Sequence, residues 1–137
     1  MLAWAYERCF ENEGAAGVDG QTFEMIEGYG REQWLGELAE ELRKRTYQPQ
    51  AVGRVWIPKA DGSQRPLGIP TVKDRVVQTA LLGVLEPIFE ADLQPEQYAY
   101  RPDRGAWDAL EHVRTLLKAG HREVVDADRS GYFDSAS

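Results

Sequence analysis

Two aspartates, Asp126 and Asp128, stand two apart in the stretch REVVDAD, residues 122–128. Side chains two apart on a strand point to the same side, so a strand here would aim both carboxylates one way. Magnesium takes oxygen ligands and binds through one or two carboxylates together with substrate phosphates. Solvent-facing charges at a strand end have the same spacing, and the pair alone does not separate the two readings. A second set of groups, Lys59 and Arg65, flanks Asp61-Gly62. One ammonium and one guanidinium on a projecting turn could clamp a triphosphate, or could simply keep a surface soluble. Arg101 and Arg104, around Pro102, suit a phosphate backbone, or the end of a loop and the start of a helix.

These groups need elements to position them. Residues 2–12 read as a short helix carrying Leu2, Trp4, Tyr6 and Phe10, broken by the glycine-rich stretch 14–20. A second helix over 31–45 places Trp34, Leu35, Leu38 and Leu42 at helical spacing and ends on three cations that suit its carbonyl end. Two β-prone runs, 52–57 and 65–69, predict a hairpin. Pro58, Pro66 and Pro70 cannot donate to a ladder, so it should be short, at a sheet edge and projecting. Thr71 with Asp74 resembles a capping box and opens a helix over 72–90. Its Val76, Val77, Ala80, Leu81, Val84, Leu85, Ile88 and Phe89 form a broad apolar face, and Pro87 should kink or end it. Residues 97–102 read as extended. A helix over 104–119 carries Trp107, Leu110, Val113, Leu116 and Leu117 on its apolar side and is capped by Gly120, and a strand over 122–128 is buried through Val124 and Val125. The class is α/β (α+β), helices packed on a small sheet with a protruding hairpin.

The 137 residues, 42% hydrophobic and 28% charged, suit one ordinary globular domain, and no domain boundary stands out. No run approaches the roughly 18 to 20 apolar residues of a membrane span, and the start MLAWAYERCFENE lacks the features of a signal peptide. A cytoplasmic chain is expected, with no membrane partner. Cys9 cannot form an internal disulfide and, among Ala5, Tyr6 and Phe10, reads as a half-buried packing thiol. The net charge of −7 argues against binding a polyanion, but the average hides an asymmetry. Residues 1–42 carry 2 basic and 10 acidic groups, 43–75 carry 8 and 2, and 76–137 carry 6 and 11. A polyanion would bind the basic middle, although a solvated charged face is the plainer account of such a run.

In order along the chain, four blocks resemble the group II intron reverse transcriptases (maturases). They are NEGAAGVDGQTFE (12–24), YQPQAVGRVWIPKADGSQRPLGIPTVKDRVVQTALLGVLEPIFE (47–90), QYAYRPDRGAWDAL (97–110) and VVDADRSGYFDS (124–135). Ala99, Gly105 and Arg129 stand where the family usually has Gly, Ser and Leu or Ile. The resemblance implies the fingers and the start of the palm of a right-hand polymerase: an N-terminal extension over 1–46 that holds template RNA, fingers over 47–121, and palm from 122 to 137, as one partial domain.

By the same resemblance Lys59 and Arg65 contact the phosphates of the incoming dNTP, and Arg54, Arg101 and Arg104 face the RNA template. Asp128 is the catalytic, metal-binding aspartate, in the same cleft as the Lys59/Arg65 tip. Phe133 gates against a ribose 2'-hydroxyl, and Asp126 and Asp134 are structural. The implied activity is RNA-directed DNA polymerisation with two Mg2+ ions, on intron RNA with a DNA primer. Two-ion chemistry needs several carboxylates. The family's later Tyr-x-Asp-Asp motif is not in these 137 residues, and Asp134-Ser135-Ala136-Ser137 leaves the usual continuation, as a frameshift, an early stop or a cropped piece would. The isolated chain is therefore expected to be inactive. Its first palm strand, with an unpaired edge, would favour self-association. A non-catalytic RNA-binding remnant or module is the alternative reading.

Overall fold

The structure is a computed structural model that describes residues 1–60 and 62–127. The chain forms two compact units, residues 1–91 and 92–137, each described by itself. Among the described residues the elements are five helices and one two-stranded antiparallel sheet, an α+β arrangement.

The first unit is built from α1 (Leu2–Glu11), α2 (Phe23–Tyr29), α3 (Arg31–Arg43), β1 (Gly53–Pro58), β2 (Gln64–Ile69) and most of α4 (Val72–Asp92). Apolar residues at helical spacing on α1, α3 and α4 converge with Phe23 and Ile26 of α2 on one core. Tyr6, fully buried, sits at its centre. Its ring meets Phe23 edge-on at 5.5 Å and Trp34 at 5.9 Å, and its hydroxyl donates to Glu27 Oε1 at 2.8 Å, so burying the phenol strands no polar group. Cys9 is buried rather than half-buried, its Sγ 3.2 Å from Thr79 Oγ1.

Helix ends follow local chemistry. The Thr22 hydroxyl accepts from the Met25 amide at 3.3 Å and starts α2, a seven-residue helix too short to show a period in the sequence. Helix α3 ends at Arg43, two residues before the expected end. There Arg45 takes a left-handed conformation (φ 57°), and the amides of Arg45 and Thr46 bond back to the carbonyls of Leu42 and Glu41. The hairpin pairs Gly53 with Ile69 through Pro58 with Gln64, one residue longer toward the turn than read from sequence, and Lys59 N donates to Ser63 O at 2.7 Å beyond the last pair. Its residues are exposed except for the half-buried Gly53, Ile57 and Ile69, so it does project.

Helix α4 departs from expectation twice. It runs past Pro87 to Asp92, because the proline removes one donor but leaves the flanking turns their own hydrogen bonds. Only its first half serves the core: Val72, Val76 and Ala80 are buried with Val77 against them, whereas Leu81, Val84, Ile88 and Phe89 are at least half exposed. The apolar face is real, but its second half stays largely exposed.

In the second unit α5 (Ala106–Lys118) lies close to its expected span. Asp108 Oδ2 accepts from the Gly105 amide at 2.8 Å, half of a capping box, since glycine has no side chain to return the bond. Gly120 (φ 98°) caps the other end as expected, and the amides of Gly120 and His121 bond the carbonyls of Leu117 and Leu116. Two other expectations fail. Residues 97–102 form no strand, and the chain turns at 99–100 and again at 102, with Tyr100 left-handed (φ 59°). Residues 122–127 form no strand: among the described residues no third strand pairs with them, and Val124 and Val125 are almost wholly exposed. The apolar side of α5 buries nothing either.

Leu38→Ala, in the core and 1% exposed, should destabilise the chain by about 2 to 5 kcal/mol in urea unfolding. Leu110→Ala on the exposed side of α5, 58% exposed, should stay within about 0.5 kcal/mol.

Candidate nucleic-acid interface

Antiparallel partners point to the same side of a sheet and neighbours along a strand to opposite sides. Because Ile57 faces Arg65 across the ladder, Arg65 shares a face with Val55, Ile57 and Leu67. Lys59, two residues beyond Ile57 and bonded to Ser63, continues that face, so Lys59 and Arg65 are diagonal neighbours on one side of the turn. Arg54 lies on the other side with Trp56, and opposite them stand Gly68 and Pro66, which cover little. Trp56 is 53% exposed. Sequence reasoning passed over this tryptophan, although strict alternation from Arg54 would have placed it beside the guanidinium.

The charge partners sort the basic middle of the sequence. Lys73 pairs with Glu41 at 2.7 Å, Arg43 and Lys44 with Glu40, and Arg75 bonds two backbone carbonyls. The side chains of Arg54, Lys59 and Arg65 are exposed and have no hydrogen bond or ion pair with any described residue. Lys73, Arg43 and Lys44 thus have carboxylate partners and Arg75 is tied to carbonyls, whereas the hairpin's cations, like Arg45 just past α3, have no side-chain partner among the described residues. An anion arriving there need displace only water and salt.

The base of the hairpin is held by Asp74, 3% exposed in the first turn of α4. Its carboxylate accepts from the Tyr47 hydroxyl, from Thr71 Oγ1 at 2.8 Å and from the Gln50 amide at 3.2 Å, while the Asp74 amide donates back to Thr71 Oγ1 at 3.1 Å. The expected Thr71/Asp74 cap therefore exists, and it also ties down the segment that enters β1. Burial pushes the Asp74 carboxyl up, but the hydrogen bonds from Tyr47, Thr71 and Gln50 and the charge of Lys73 outweigh it and hold the group below its ordinary value. Tyr47 is pushed well above its ordinary value by burial, with the Asp74 hydrogen bond and charge adding to it.

Gly17, between α1 and α2, lies against the start of α4: a Cβ there would come within 2.6 Å of Thr71 Cα. Next to it Val18 packs over Gly53 at the base of β1. The loop read as template-holding and the hairpin thus share one anchor, the first turn of α4.

In the second unit Arg101 donates to the carbonyls of Gln94 (2.8 Å) and Gln97 (3.1 Å), and Arg104 donates to Pro95 O and lies over the Tyr98 ring. The Tyr98 hydroxyl bonds His112 Nδ1 at 2.7 Å. Both arginines curl the segment that the sequence suggested was extended. Asp126 is exposed, while Asp128, Phe133 and Asp134 lie outside the described residues.

Residues 57–137 match the reverse transcriptase (RNA-dependent DNA polymerase) family. The chain belongs to that family. It is also 33% identical over 96% of its length to the group II intron-encoded protein LtrA of Lactococcus lactis subsp. cremoris, and 39% identical over 98% to protein YkfC of Escherichia coli (strain K12). Residues covering 45% of the chain are 39% identical to nuclear intron maturase 2, mitochondrial, of Arabidopsis thaliana. The chain spans 36% of YkfC and 22% of LtrA. Reverse transcriptases of this kind work with divalent metals. Among the described residues, however, no three His, Cys, Asp or Glu groups come together, so these residues do not by themselves make a metal centre and no step is assigned to one. Nor, among them, is any helix long and apolar enough to cross a membrane.

A carboxyl held below its ordinary value of 3.8 stabilises the fold above that pH, and the contribution is lost as the pH falls through the folded value. Urea unfolding free energy should therefore drop below about pH 4. Asp74→Ala should lower it by about 3 kcal/mol at pH 7, because Tyr47, Thr71 and the Gln50 amide lose a charged acceptor.

Proposed function

We propose that these residues grip template RNA and the incoming nucleotide in an RNA-directed DNA polymerase of the group II intron type. Residues 1–46 correspond to the N-terminal extension, 47–121 to the fingers and 122–137 to the start of the palm. The observation that supports this reading is the arrangement on the exposed hairpin of three cations whose side chains have no partner among the described residues. Lys59 and Arg65, on one face, hold the triphosphate of a dNTP, the guanidinium in a two-pronged contact and the ammonium as a point charge. Arg54, on the opposite face, takes a phosphate of the template. Arg101 and Arg104 act on the template side through the turn they shape.

Asp128 and Phe133 enter by family resemblance, as the metal-binding aspartate and the sugar gate. Lacking a Tyr-x-Asp-Asp motif, the 137 residues alone should not extend a primer.

Two ligands separate the two faces. With the full chain at low salt, Lys59→Ala and Arg65→Ala should each weaken dTTP binding by about tenfold, and Arg54→Ala should leave it unchanged. Arg54→Ala should weaken binding of single-stranded RNA and lower the slope of log K against log salt by about 0.7, the loss of one phosphate contact. Unchanged affinities in all three variants would refute the reading.

A further inference from the structure

Arg75, one residue after the Asp74 anchor, has a role that its position on α4 does not advertise. Its guanidinium reaches back about sixty residues in sequence to the loop between α1 and α2. There it donates from Nη1 to Glu13 O at 3.3 Å and from Nη2 to Ala15 O at 2.8 Å. The same group lies 5.6 Å from the centre of the Phe23 ring, at the first residue of α2. It therefore holds both ends of the loop at once, the carbonyls leaving α1 and the aromatic that opens α2. Gly14 makes room for it, since a Cβ there would meet Nη1 at 2.4 Å.

The loop it holds carries Glu13 and Asp19 and no lysine or arginine, so it has no cation of its own for a phosphate. What it can offer RNA is shape, backbone amides and the exposed Val18 (55% exposed) beside the base of the hairpin. A loop already held in one conformation gives up less entropy when such an interface forms.

We propose that Arg75 is a positioning residue for template RNA: it fixes residues 13–20 against α4 and beside the hairpin without touching the RNA itself. This rests on the template-gripping function proposed above. A direct phosphate contact by Arg75 would have a different signature, because such contacts release counterions and steepen salt dependence.

Three measurements on the full chain test it. In hydrogen exchange the wild-type amides of residues 13–20 should gain protection when single-stranded RNA is added. Arg75→Lys keeps the charge and the apolar stem but loses the two-carbonyl grip. It should bind RNA about fivefold more weakly, the scale of one lost hydrogen bond. Its dTTP affinity should match the wild type, and Arg75→Gln, which removes the charge, should keep the wild-type salt slope. Gly17→Ala, which pushes the loop off Thr71 with Arg75 intact, should weaken RNA in the same way. Wild-type RNA affinity in both Arg75→Lys and Gly17→Ala, a salt slope lowered by about 0.7 in Arg75→Gln, or no gain of protection in residues 13–20 would each overturn the assignment. Wild-type chain that binds no RNA at all would instead bring down the function on which it rests, and this assignment with it.

Discussion

The Asp74 carboxylate, nearly sealed from water in the first turn of α4, is the interaction from which the projecting part of the first unit hangs. An isolated two-stranded hairpin is marginal in water, and β1 and β2 bury little of their own surface. What fixes their direction is the base. Tyr47 and the Gln50 amide reach Asp74 from the segment before β1, and Thr71, just after β2, reaches it from the other side. One buried anion with three donors holds both legs of the hairpin to the core. A buried carboxylate that lost those donors would be driven toward protonation, and the hairpin would lose its mount before the core lost its packing.

The electrostatics follow from which cations the fold neutralises. Ten acidic groups lie in residues 1–42, and α1 to α3 pair several of them with nearby cations: Arg31 with Glu7 and Glu27, and Glu41 with Lys73. Exposed pairs of this kind add little stability. Their effect is that Arg31, Arg43, Lys44 and Lys73 have acidic partners, whereas the side chains of Arg54, Lys59 and Arg65 on the hairpin have none among the described residues. A chain of net charge −7 can thus present a local surface for a polyanion, and screening over roughly 8 to 10 Å at ordinary salt keeps the acidic helices from cancelling it.

Strong periodicity made the long elements legible. The spans of α1, α3, α4 and α5 and the hairpin were readable from apolar spacing, prolines and Thr71/Asp74, and the family from four ordered blocks. Helix α2 was not, because seven residues give no period. Nor was the burial. Leu81, Val84, Ile88 and Phe89, and the whole apolar side of α5, look like core in sequence because periodicity reports a face and not its partner. Residues 122–127 failed for a related reason, since a strand exists only as a pair. The site was partly legible. Lys59 and Arg65 fall on one face as a clamp requires, whereas Arg101 and Arg104 bond their own turn. Arg75 escaped notice because its partners are backbone carbonyls far away in sequence, which no spacing reveals. Asp128 and Phe133 stay at the level of family resemblance.

The central claim is that the hairpin's exposed cations form a two-faced anion-binding tip. Backbone and side-chain NMR of the full chain, titrated with dTTP, tests it most directly. The account predicts shifts at Lys59 and Arg65 and their strand neighbours, with the Arg54 side chain and α1 to α3 unmoved. Shifts confined to the helices, or equal on both faces of the hairpin, would contradict it.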